Sequence, residues 1–126
     1  MNQTTSKINS QYSLEYMITQ AEGQYLERKG LGENDLRPTK IADELIGMLN
    51  ASGGLLVFGL ADDGEIQDLH SLGEEKLRGY RTLIIDFISP TPNVELEELT
   101  LNGGELLFLY HVEPEFERVF SRVDNQ

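Results

Sequence analysis

The sequence predicts an α+β fold: a mixed β-sheet packed against two main helices. Three observations predict it. The run Leu55-Leu56-Val57-Phe58-Gly59-Leu60 is continuously apolar, as in a strand covered on both faces. Two segments carry apolar residues at helical spacing: Ile41, Ala42, Leu45, Met48 and Leu49 in one, Leu77, Tyr80, Ile84 and Phe87 in the other. Strand patterns follow one another directly in two places, which departs from strict βαβ alternation.

Residues 1–12 read as a disordered lead and residues 13–126 as the domain. Ser13 can cap a short helix over Leu14 to Ile18. Gln24 to Lys29 reads as a short strand, with Tyr25 and Leu26 facing opposite ways. Gly30 to Arg37 holds two Gly, an Asn and an Asp, and is a loop. Pro38 suits the first position of a helix, and Asn50-Ala51-Ser52-Gly53-Gly54 stops it. Gly53-Gly54 could also bare backbone N–H groups for a phosphate, but a helix stop is the stronger reading.

After the apolar strand, Asp62-Asp63-Gly64 is a turn and Glu65 to Leu69 returns as a short strand. Ser71-Leu72-Gly73-Glu74 matches a capping box, and the helix behind it ends before Pro90. Asn93 to Leu101 is a strand in which Val94 and Leu96 take one face and Leu99 and Leu101 the other. A bulge near Glu97–Glu98 is therefore expected, with the acidic run Glu95 to Glu98 on an exposed strand face. Asn102-Gly103-Gly104 turns the chain into the apolar strand Glu105 to Val112. Pro114 ends that strand, and Val119 to Val123 closes the domain as one more.

The 126 residues include no cysteine, which excludes a disulfide framework and thiolate metal sites. His70 and His111 stand far apart. No apolar run approaches the ~20 residues that span a bilayer, and Met1 to Ser13 lack the apolar centre of a signal peptide. A soluble cytoplasmic protein is the expectation.

Against 10 Lys and Arg stand 22 Asp and Glu, a net charge of −12. Such a chain repels phosphate backbones as a whole. The imbalance is uneven: residues 61–126 hold five basic and fifteen acidic groups, residues 1–60 five and seven. Arg28, Lys29, Arg37 and Lys40 fall close together and are where an anion would be met.

Several common sites are absent. No Walker-type phosphate loop and no G-x-S-x-G elbow occur, and Gly30-Leu31-Gly32 lacks the third glycine of a dinucleotide fingerprint. What remains is carboxylates. If the first strand and the apolar strand are neighbours, Glu22, Glu27 and Asp62 converge at one sheet end, with Lys29 on the same strand face as Glu27. Three such oxygen ligands suit Mg²⁺ or Mn²⁺ and metal-assisted phosphodiester hydrolysis.

Four pieces in order resemble the Schlafen-type AlbA-2 (Alba-like) domain, also labelled divergent AAA. Glu22-Gly23-Gln24-Tyr25-Leu26-Glu27-Arg28-Lys29 resembles its opening Glu, then Glu-Phe-Lys, with Arg28 in place of the aromatic. The helix ending in Asn50-Ala51-Ser52-Gly53-Gly54, the strand running into Asp62-Asp63-Gly64, and Phe120-Ser121-Arg122-Val123 supply the rest. The resemblance implies a Schlafen AlbA-like fold and an N-terminal domain, cut from a longer bacterial transcriptional regulator, that binds DNA. Through eukaryotic relatives it also implies RNA cleavage, with Glu22, Glu27 and Asp62 as catalytic metal ligands beside Lys29. The ATPase label finds no phosphate loop here.

Three readings follow. The first is a nucleic-acid-binding domain contacting DNA or RNA through Arg28, Lys29, Arg37 and Lys40. The second is a Mg²⁺- or Mn²⁺-dependent endoribonuclease. The third is a protein-interaction domain with a decayed site, its acidic half facing a basic partner or a second copy.

Overall fold

A computed structural model describes residues 14–19, 26–32 and 36–123. The chain runs α1 (Leu14–Thr19), β1 (Leu26–Lys29), α2 (Pro38–Leu49), β2 (Gly54–Phe58), α3 (Glu74–Phe87), β3 (Ile88–Ser89), β4 (Val94–Thr100), β5 (Leu106–Val112) and β6 (Ser121–Arg122). A four-stranded sheet has the order β1-β2-β5-β4, and β3 pairs with β6 apart from it. β1 runs parallel to β2, with Leu26 opposite Leu55 and Lys29 opposite Phe58. The β2–β5 and β4–β5 pairs are antiparallel, so the sheet is mixed and the fold is α+β.

Both faces of the sheet are covered. On one face Leu56, Phe58, Phe108 and Tyr110 pack under α2 and α3, which bury Ile41, Ala42, Leu45 and Leu49, and Leu77, Tyr80, Leu83 and Ile84. On the other face Leu26, Leu55, Val57, Leu107 and Leu109 meet Met17 of α1. This two-sided cover is why β2 reads as an unbroken apolar run. Tyr80 and Phe58 bring their rings to 4.6 Å. Tyr110 is fully buried and its hydroxyl donates to Tyr80 O at 2.7 Å. Burial pushes the Tyr110 phenol well above its usual range, so it remains a donor.

The structure differs from the sequence expectations in four places. First, β4 carries no bulge: its register with β5 is unbroken from Val94 opposite Val112 to Thr100 opposite Leu106. The apolar residues change phase because both faces are buried, not because the strand kinks. Second, the acidic run is not all exposed. Glu97 is fully buried, in phase with Leu99, and its carboxylate lies 2.9 Å from His111 Nε2. Third, Ser71 does not cap α3. Leu69–Leu72 forms a 3-10 turn capped by Asp68, Ser71 Oγ donates to Asp68 O, and Gly73 (φ +86°) precedes Glu74. Fourth, Glu65 to Leu69 makes a single bridge, Leu60 with Ile66, instead of a strand. In the first-strand segment the described residues Leu26–Lys29 are strand, and the last strand spans two residues, Ser121–Arg122. The lead, Ser13 and Tyr25 lie outside the described residues.

Two resembled motifs prove to be one clasp. Asn50, the residue after α2, donates from Nδ2 to Phe120 O and accepts from Phe120 N on Oδ1, each at 3.1 Å. The chain then turns at Gly53 (φ +76°), whose N–H donates to Met48 O at 2.8 Å. A Cβ on Gly53 would stand 2.6 Å from Val112 O, so the glycine answers a close backbone approach. The helix-stop reading of Gly53-Gly54 accounts for both.

Asn50→Ala should strip Phe120 of both backbone partners and cost ~1–3 kcal/mol. Urea unfolding checks it: the midpoint falls at unchanged slope, whereas an unmoved midpoint means the clasp adds nothing.

Asp68 Oδ1 accepts from His70 N at 3.0 Å and from Leu106 N at 2.9 Å. Burial alone would raise its pKa. The hydrogen bonds from Leu106 and His70, with the His70 charge, outweigh that and hold it below 3.8. A depressed carboxylate lends stability above its unfolded pKa and loses it as pH falls through the folded one. Acid unfolding of wild type and Asp68→Asn should therefore converge once pH drops well below 3.8. A gap that persists there would assign the effect to geometry instead of charge.

Candidate functional site

Strand alternation decides what β1 offers. Leu26 packs toward α1, and Arg28 follows it there, its Nη1 donating to Met17 O at 3.1 Å. Glu27 and Lys29 point the other way, under α2. Lys29 Nζ lies 3.4 Å from Glu27 Oε2 and 3.5 Å from Glu44 Oε2 on α2. The Lys29 side chain is 11 % exposed and that of Glu27 30 %. Glu27, Lys29 and Glu44 thus form a half-sheltered row of alternating charge. Glu44 escaped the sequence reading, because only the seating of α2 on β1 brings it to Lys29.

Parallel pairing sets the C-terminal ends of β1 and β2 side by side. Lys29 O accepts from Gly59 N at 2.7 Å and from Leu60 N at 3.3 Å. The chain leaves β2 through a turn closed by Gly64 N to Ala61 O and Glu65 N to Asp63 Oδ1, both 2.9 Å. Asp63 therefore serves the turn. Asp62 is exposed and lines a cavity of about 380 Å³ with Gly30, Gly32, Asp63, Glu65 and Gln67. Gln67 Oε1 accepts from Leu31 N at 2.6 Å, pinning the Gly30–Gly32 loop to the rim. That loop is a structural closure.

The two strands are thus neighbours, and Asp62 follows β2 beyond the level at which Lys29 ends β1, whereas Glu27, opposite Leu56, lies within its strand. Glu22 lies outside the described residues. Among the described residues no three His, Asp or Glu side chains come together to hold a metal ion. The donor set has the hard oxygens that Mg²⁺ or Mn²⁺ takes, yet the described part of the rim does not by itself make a metal centre.

The four expected anion contacts do not share a surface. Arg28 and Lys29 are buried, at 7 % and 9 % exposure, on opposite faces of β1. Arg37 and Lys40 are exposed at the start of α2. Arg37 gains company the sequence reading missed: Lys76 of α3, which lines a groove with it, while Arg78 is exposed two positions further on and turned away from that groove. No side-chain cap closes the N-terminus of α2, and no acidic residue occupies its first turn. The signal for Lys76 and Arg78 was present only as two bases on the polar face of a predicted helix.

An α+β domain whose parallel strand pair carries Glu27 and Lys29 on one face, with Arg37 and Lys76 lining a groove at the start of α2, defines the class. A family model described as Schlafen, AlbA_2 matches residues 22–126, and the chain belongs to that family, one of nucleic-acid-related domains. No curated protein and no solved structure matches it. Among the described residues no helix is long and apolar enough to cross a membrane.

Proposed function

We propose that this chain is the nucleic-acid-binding domain of a bacterial transcriptional regulator working in the cytoplasm. The observation that carries the reading is the pair of exposed cations Arg37 and Lys76, which line one groove between the start of α2 and α3, with Lys40 and Arg78 exposed elsewhere on the same two helices. Family membership supports it from the other side. In a domain of net charge −12, a local cationic surface is what lets a phosphate backbone approach at all. The uncapped start of α2 adds its partial positive charge. Arg28 and Lys29 act from beneath, fixing β1 between α1 and α2.

Binding should be salt-sensitive. Each phosphate contact contributes a log–log slope of ~0.9 on duplex DNA and ~0.7 on a single strand. Arg37→Ala with Lys76→Ala should weaken binding across sequences and flatten that slope by ~1.4–1.8. Fluorescence anisotropy over a salt series checks this. No binding to any DNA or RNA at low salt, or an unchanged slope, would sink the reading.

A second reading, divalent-metal-dependent cleavage of RNA by Glu22, Glu27 and Asp62 beside Lys29, is favoured by one observation. Glu27 and Lys29 share a face of the strand that lies parallel to β2, from whose end Asp62 emerges. Mn²⁺-dependent cleavage of a structured RNA, lost in Asp62→Asn with the unfolding midpoint kept, is the expected outcome. Cleavage that survives both chelator and that substitution rules the reading out.

A further inference from the structure

Between the start of α2 and the first half of α3 lies a groove of about 410 Å³. Leu36, Pro38, Gly79 and Tyr80 give it apolar walls; Arg37 and Lys76 bring two cations to it and Glu75 one carboxylate. The walls are preformed. The Tyr80 hydroxyl donates to Leu36 O, and its ring is backed by Phe58. Glycine is a poor helix former, yet Gly79 sits inside α3 with a helical backbone that demands no glycine. A Cβ there would stand 3.2 Å from Pro38 Cγ. Gly79 keeps the two sides close and the groove free of a side chain.

Charge narrows what such a groove accepts. Residues 61–126 carry fifteen acidic groups against five basic ones. A duplex lays two charged strands over a wide footprint and meets that repulsion. A single strand needs fewer phosphates neutralised, and its unstacked bases can gain affinity from apolar walls. Apolar walls with cations beside them match one unpaired nucleotide, the base within and the flanking phosphates on Arg37 and Lys76.

We infer that this groove seats an unpaired nucleotide, so that the nucleic acid the domain prefers is single-stranded. The inference rests on the nucleic-acid-binding reading above. The test is fluorescence anisotropy at low salt with three probes: a mixed-sequence single strand, its duplex, and a single strand of equal length whose central nucleotides are abasic. The intact single strand should bind about tenfold or more tighter than either of the others. Gly79→Leu should weaken the single strand by a similar factor and so narrow its margin over the duplex, whereas an undiminished single-strand affinity in the folded variant overturns the inference. Duplex binding as tight as single-strand binding, or equal affinity for the abasic strand, overturns the inference while the binding reading stands. Failure of all three probes to bind overturns both. If Gly79→Leu does not fold, the abasic comparison on the unaltered chain decides.

Discussion

The domain is organised around one constraint: β2 has no exposed face. Leu55, Leu56, Val57 and Phe58 are fully buried, so each side of the strand needs its own cover and each edge its own partner. β5 takes one edge in antiparallel register and β1 the other in parallel register. A parallel neighbour requires a crossover, and α2 is that crossover, laid over the same face it helps to bury. The candidate site is a by-product of this arrangement. Two parallel strands end together, and the residues that follow them, Asp62 among them, collect at that end.

The same arrangement separates the two kinds of charge. Bases placed on β1 are drawn inside, where Arg28 reaches the Met17 carbonyl and Lys29 is held between Glu27 and Glu44. Bases on the helices stay in water. On the proposed reading a phosphate would meet the domain at α2 and α3, whereas Glu27 and Glu44 are engaged with Lys29 beneath α2.

Much of the fold was legible because local patterns agreed with global packing. The periodicity of Ile41, Ala42, Leu45 and Leu49, Pro38 at the start of α2, and the turns at Gly64 and Gly104 all appear where their residue types demand. The adjacency of β1 and β2 stood in the sequence only as a condition, which the parallel register meets. The misses share a cause. Glu97 is acidic yet buried, because strand phase and the nearby His111 imidazole outweigh residue type. Ser71 has capping chemistry, but Asp68 captures the turn before it. Lys29 looks like a surface cation until α2 closes over it, and Lys76 joins Arg37 only through helix packing. Each depends on tertiary contacts that no short window of sequence contains.

The Asn50–Phe120 clasp joins residues 70 positions apart. Contacts so distant along a chain carry a large loop-closure cost and form only after nearer ones have already restricted the polymer. During synthesis, the end of α2 must wait for almost the whole domain to be made before it is pinned. Folding is accordingly a closing of the circle, in which an early helix becomes permanent only when Phe120, 70 positions further along, arrives to meet it.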